Sequence, residues 1–216
     1  IYDRLVGSEM CIRDSLWGVC QNGPESQLNS TECTQPAMLT AGIAVWRVWK
    51  ARGGPDPQVA AGHSLGEYSA LVCAGALAFA DAVAVVADRG RFMQEAVPHG
   101  VGAVAAILGL DDEPVRAACE QGAQAEVVRA VNFNAPGQVV IAGHTGAVDR
   151  TIELAKAAGA KKAVKLPLSV PVHSPLMEPA AERFAERLNA CEMKVPAIPV
   201  LSLSLIHISE PTRRSY

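Results

Sequence analysis

At 216 residues, half of them hydrophobic and 19% charged, the chain can bury one substantial core or two small ones and is too apolar to be disordered. Its net charge of −3, without a basic cluster, argues against nucleic acid as a partner, and no apolar run approaches the ~20 residues that cross a bilayer. Six cysteines (Cys11, Cys20, Cys33, Cys73, Cys119 and Cys191) are scattered without a C-x-x-C pair, and no signal-peptide pattern opens the chain, which points to reduced thiols in a cytoplasmic protein.

Residues 1–15 and 203–216 show neither helical nor strand periodicity and join abruptly to well-patterned sequence. Both resemble translated sequencing-adapter DNA and are read as non-native tails, leaving residues 16–202 as natural chain cut at both ends. Within it, residues 34–50 predict an apolar helix, with Thr34 as N-cap and Pro36 in the first turn. A linker carrying Gly53-Gly54-Pro55 follows. Val59-Ala60-Ala61 reads as a short buried strand, and Tyr68 to Cys73 as the start of a second apolar helix. A long helix is expected over residues 80–97, ended by Pro98-His99-Gly100.

The order then changes. Residues 102–108 read as a strand, 113–121 as a helix, 127–132 and 138–142 as strands joined by a turn at Ala135-Pro136-Gly137, 146–158 as a helix and 161–166 as a strand. That β-α-β-β-α-β order is ferredoxin-like and suggests a subdomain over 101–167 inserted into an α/β core formed by 16–100 and 168–202. An extended stretch around His173, a helix over 175–191 and a core strand starting near Val200 complete the reading.

Between the first strand and the helix that follows it lies Gly62-His63-Ser64-Leu65-Gly66-Glu67. A serine at Gly-x-Ser-x-Gly spacing on a strand-to-helix turn is the nucleophile-elbow arrangement. The turn strains the serine backbone and lifts its hydroxyl out of the sheet. Side chains at Gly62 and Gly66 are expected to strike neighbouring backbone. The backbone N–H of Leu65, at the helix start, is placed to meet an acyl oxyanion.

A serine nucleophile needs a base, and five histidines are present. His63 adjoins the serine and points away from it. His99 and His144 sit in turns, and His207 in the suspect tail. His173, in Ser169-Val170-Pro171-Val172-His173-Ser174-Pro175, lies where the chain re-enters the core, a place from which an imidazole can be aimed. It is either the base or a loop histidine satisfied by backbone groups. No His, Cys or carboxylate cluster has metal-ligand spacing, so no metal is expected.

On a helical wheel the 80–97 helix places Ala82, Val86, Met93 and Ala96 on one face, with Arg89 in its middle. Arg91 falls opposite, beside Asp88 and Glu95, as a solvated charge. A guanidinium aimed at a core must be paired. Arg89 therefore meets either a buried Asp or Glu or a carboxylate on a substrate, which its planar fork suits.

The elbow with Glu67, then Asp88 to Gln94 (DRGRFMQ), Asn132 to Gly143 (NFNAPGQVVIAG), Val170-Pro171-Val172-His173 and the early Thr34-Gln35-Pro36-Ala37 resemble the malonyl-CoA:acyl carrier protein transacylase family, over essentially all of residues 16–202. The resemblance implies an α/β-hydrolase-like core with a ferredoxin-like insert. It implies Ser64 as the acylated nucleophile, His173 as general base and then acid, Arg89 as the holder of the malonyl carboxylate, and the Leu65 N–H as half of the oxyanion hole. Gln35, in the early-helix motif, is taken as a further substrate-binding residue. The partners implied are malonyl-CoA, as substrate, and acyl carrier protein, served by a cytoplasmic monomer without cofactor. The family's Gly-Gln-Gly motif, which supplies the other oxyanion donor, has no counterpart here. Val172 is smaller than the bulky residue often found before the histidine. Two other readings share the elbow: an acyltransferase domain of a polyketide synthase, and a serine esterase or thioesterase, which has no need of Arg89.

Overall fold

The structure, a computed structural model, describes residues 16–168 and 170–202. The two tails, with Cys11 and His207, and Ser169 lie outside the described residues. The described chain divides into two compact units, one of residues 16–28, Glu32–Gly90 and 187–202, the other of Asn29–Thr31 and Arg91–Glu186.

The first unit opens with two short helices, α1 (Leu16–Asn22) and α2 (Glu25–Leu28), which the sequence reading did not anticipate. Helix α3 spans Thr31–Ala51 and starts three residues before the expected N-cap. Thr34 does not cap it; its hydroxyl donates to the Leu28 carbonyl. Pro36 lies inside the helix and omits one i→i−4 bond there. The helix buries Cys33, Pro36, Leu39 and Ile43, at three-to-four-residue spacing. Leu39 and Ile43 pack with Leu77, Ala82, Val83 and Val86, the last three from α5 (Phe79–Ala96). Burying a Leu or Ile fully contributes roughly 1.5–3 kcal/mol, so this seam holds the unit together.

Strand β1 (Ala60–Ala61) leads to α4 (Gly66–Cys73). It pairs in parallel with Val200–Leu201, the last strand of the chain, in the register Ala60↔Val200 and Ala61↔Leu201. In the turn between β1 and α4, Ser64 has φ +51. The N–H groups of Gly66 and Glu67 return to the His63 and Ser64 carbonyls at 2.9 and 3.2 Å. A Cβ on Gly62 would lie 1.9 Å from the Gly66 carbonyl carbon and 2.1 Å from its oxygen, both backbone atoms. Gly66 differs from expectation, since a Cβ there meets nothing within 4 Å. One glycine is required because the other's backbone passes against it. The second position is sterically open.

The second unit is built on β2 (Gly102–Leu108), α6 (Asp112–Ala123), β3 (Val128–Ala135), β4 (Gln138–His144), α7 (Thr145–Ala157) and β5 (Lys162–Lys165). The strands form one antiparallel sheet in the order β3-β4-β2-β5, so the expected β-α-β-β-α-β sequence of elements is observed. Alternation along the strands divides two apolar layers. Ala103, Ala105 and Ile107 of β2 with Val139 and Ile141 of β4 pack against Val115, Cys119, Val148 and Ile152 of the helices. Val104, Val140 and Ala142 face the other way and are covered by Leu166 and Val172. Arg150 caps the end of α6, donating to the Gly122 carbonyl at 2.9 Å and pairing with Glu126 at 2.8 Å.

After the sheet, the segment expected to be extended around His173 is a tight turn. Ser174 N–H donates to the Pro171 carbonyl at 3.3 Å and its hydroxyl donates to the same oxygen at 2.6 Å. His173 is the third residue of this turn, with φ +59, a position ordinarily filled by Gly or Asn. The Pro171 ring fixes the turn by lying on Gly102, where an added Cβ would come within 2.4 Å of Pro171 Cδ. A single turn of 3₁₀ helix (Pro175–Met177) and α8 (Glu178–Asn189) follow, and β6 (Val200–Leu201) closes the chain.

The five described cysteines are free thiols. Burial pushes the Cys119 thiol up to about 12, against the opposing pull of the Ala130 backbone and Arg116. No helix among the described residues is long and apolar enough to cross a membrane.

Two outcomes follow from this packing. With a neutral, buried thiol, Cys119 is expected to stay unmodified by iodoacetamide at pH 8 in the folded chain while exposed Cys20 reacts, as peptide mass mapping would reveal. Gly62→Ala is expected to destabilise by roughly 3 kcal/mol or more, since its clash is with backbone, and to lower the thermal midpoint by at least ~6 °C. Gly66→Ala should leave that midpoint within ~2 °C of the parent. Equal effects of the two substitutions would contradict the elbow geometry.

Candidate active site

Three of the residues singled out from sequence meet in the first unit. Helix α5 brings Arg89 to the elbow on the same face as buried Ala82 and Val86. Arg89 Nη2 donates to Ser64 Oγ at 3.0 Å, and Nη1 donates to Gln35 Oε1 at 2.6 Å. Gln35 is delivered by α3 and is buried, only 6% exposed, so its amide has to be satisfied inside the protein. Arg89 thus joins α3, the elbow and α5 through one guanidinium.

The expected alternatives for Arg89 are resolved in part. It forms no ion pair with a described carboxylate; its direct partners are an amide, a hydroxyl and an aromatic ring. Burial lowers its pKa, and the neighbouring Tyr68 and Glu67 oppose that shift. Arg91 is the solvated charge expected of it, 3.9 Å from Glu95 on an exposed face. Asp88 is taken instead by Arg187, at 2.7 Å.

Sequence reasoning missed Tyr68. Its ring centroid lies 5.8 Å from Arg89 Cζ. The available signal was spacing: Tyr68 falls four residues after Ser64, in the first turn of α4, where the apolar reading of the helix gave it no role.

Leu65 stands at the N-cap position of α4. Its N–H belongs to the first-turn donors that a helix leaves unused, and no described group accepts from it. Beside the strained serine, that donor and Arg89 supply what acyl transfer requires near a nucleophile: a group to meet an oxyanion and a fixed cation. His173 belongs to the second unit, where its turn holds it exposed and in left-handed backbone. His63 is exposed, and His144 is structural, its Nδ1 accepting from the Val127 N–H at 2.9 Å. Among the described residues no group of three or more His, Cys, Asp or Glu side chains could hold a metal ion.

Known proteins resemble this chain along most of its length. The malonyl CoA-acyl carrier protein transacylase of Salmonella typhimurium is 57% identical over 187 residues, 87% of this chain and 60% of the relative. That of Bacillus subtilis is 50% identical over 181 residues, 83% of this chain and 57% of the relative. The chain therefore spans about 60% of the length of the curated relatives it matches. Among solved structures, the Coxiella burnetii transacylase superposes with a TM-score of 0.86 at 49% identity, covering 92% of this chain and 62% of that one. A malonyl-transacylase in complex with a type II polyketide acyl-carrier protein does so with 0.86 at 50% identity, covering 92% and 63%. The acyl transferase domain family model matches residues 8–215. A strained elbow serine, a cation on its hydroxyl and a match along nearly the whole chain lead to one conclusion: this protein belongs to the acyl transferase domain family.

Proposed function

We propose that this chain carries the nucleophile of a malonyl transferase, which moves malonyl from malonyl-CoA onto Ser64 and then onto the phosphopantetheine thiol of an acyl carrier protein, in fatty-acid synthesis. The observation that carries this reading is Arg89: a buried-face guanidinium 3.0 Å from the nucleophile hydroxyl, without a described carboxylate paired to it. A cation fixed there suits an acyl group that brings its own carboxylate. A simple esterase leaves Arg89 unexplained.

In this reading the Ser64 hydroxyl attacks the thioester carbonyl and gives its proton to His173, a role that rests on the family resemblance of the Val-Pro-x-His segment. The Leu65 N–H stabilises the oxyanion. Collapse breaks the carbon–sulfur bond, and the imidazolium returns the proton to the departing thiolate of coenzyme A. The carrier's thiol then repeats the sequence on the malonyl-serine ester, restoring the Ser64 hydroxyl. Arg89 holds the malonyl carboxylate through both halves, with Gln35 at its other nitrogen. No cofactor or metal takes part.

The fold that goes with this chemistry is an α/β-hydrolase-like core with a ferredoxin-like insert, supported by the parallel β1–β6 pair entering the elbow and by the four-strand order of the second unit. A cytoplasmic setting, supported by the free thiols, and a monomeric state are part of the same reading. A polyketide carrier as acceptor is the second reading, favoured by the solved relative held with such a carrier.

Intact-protein mass after incubation with malonyl-CoA or acetyl-CoA tests the reading. One malonyl adduct is expected on the parent chain and none on Ser64→Ala. A malonyl adduct that survives Ser64→Ala would sink the assignment of the nucleophile. Arg89→Ala is expected to lower the malonyl-to-acetyl ratio of initial acylation rates by ~10²-fold, the scale of a lost charge-assisted pair.

A further inference from the structure

We propose that Tyr68 is a positioning residue for Arg89, its ring supporting the guanidinium so that the remaining N–H edge faces the acyl group on Ser64. The inference deepens the malonyl-transfer reading and rests on it.

The geometry argues as follows. A guanidinium is planar, with five N–H donors in fixed directions, so a few contacts determine its orientation. Gln35 Oε1 takes Nη1, and Ser64 Oγ, the atom to be acylated, takes Nη2. Once an ester forms at Ser64 the second contact changes in kind, because the oxygen has become part of the acyl group. Gln35 alone would then leave the fork free to swing about one bond. Tyr68 adds a contact that acylation does not consume, a ring whose centroid lies 5.8 Å from Cζ.

Tyr68 is itself well held. It sits in the first turns of α4, with its ring packed against the Leu39, Ile43 and Leu77 core. Burial raises its pKa, so the phenol stays neutral beside the cation. A neutral phenol can orient an arginine without competing as a carboxylate would. Glu67, the adjacent residue, interacts electrostatically with both Tyr68 and Arg89. A full negative charge as the direct partner would saturate the guanidinium and weaken its hold on a substrate carboxylate. A neutral support avoids that.

The test compares the parent chain with Tyr68→Phe, Tyr68→Leu and Arg89→Ala. The first readout is the malonyl-to-acetyl ratio of Ser64 acylation rates, by intact mass. Tyr68→Leu is expected to lower this ratio about tenfold, and Tyr68→Phe, which keeps the ring, by a smaller factor. Malonyl and acetyl rates that fall together, or a ratio that does not move, would overturn the proposal, since lost packing depresses both. The second readout is the guanidinium ¹⁵N NMR signal of Arg89, assigned by its disappearance in Arg89→Ala. Restricted rotation is expected in the parent and averaging in Tyr68→Leu. Identical Arg89 signals in the two would overturn the proposal whether or not the chain accepts an acyl group. If Arg89→Ala keeps its malonyl preference while the signals change, the transfer reading fails and the positioning of Arg89 stands.

Discussion

A cation taken into an apolar seam is the constraint around which the first unit is organised. Helix α5 packs Ala82 and Val86 against α3 with almost no exposed surface, and the same face carries Arg89. A guanidinium cannot lose its proton at ordinary pH, so the protein has to supply partners instead. It draws them from three directions, Gln35 from α3, Ser64 from the elbow and Tyr68 from α4. Each is neutral. Taken together they hold the charge without cancelling it, which distinguishes a poised cation from the interior of a finished salt bridge. The pair Arg187–Asp88, only a residue away along α5, is of the finished kind.

Much of this architecture was legible because local chemistry and tertiary packing agree. In the second unit each strand alternates between two apolar layers and each helix presents one face, so periodicity alone finds β2 through β5. Arg89 was legible as an anomaly, a charge in the middle of an apolar stripe. Agreement failed where long-range contacts decide. Pro36 marks a first turn in isolation, yet α3 begins earlier because Thr34 bonds back to Leu28 and the fold tolerates a missing ladder bond. Helices α1 and α2, seven and four residues long, are too short for a periodic pattern to announce them.

The candidate site repeats the pattern at smaller scale. Ser64 and Leu65 could be placed from spacing because a strand-to-helix turn leaves few arrangements. Gly66 could not be understood that way. The Gly-x-Ser-x-Gly signature treats its glycines as equivalent, whereas packing makes Gly62 the one that must lack a side chain and leaves Gly66 in open space. Tyr68 escaped because its ring is both things at once, a core element toward Leu39 and a polar support toward Arg89. Nor did flanking prolines reveal that His173 closes a turn, since Val-Pro-x-His reads as extended until the Pro171 ring is seen seated on Gly102.

The left-handed backbone at Ser64 restricts which residue can occupy that place at all. Threonine offers the same hydroxyl, but with φ at +51 its branched Cβ would press on the main chain, and β-branched residues are rare in that region for this reason. Cysteine fits the backbone and would put a thiol where the hydroxyl stands. Glycine would relax the turn and remove the hydroxyl. Shape therefore excludes the nearest chemical homologue before reactivity is considered, and the elbow admits serine as the smallest unbranched side chain that can carry an oxygen.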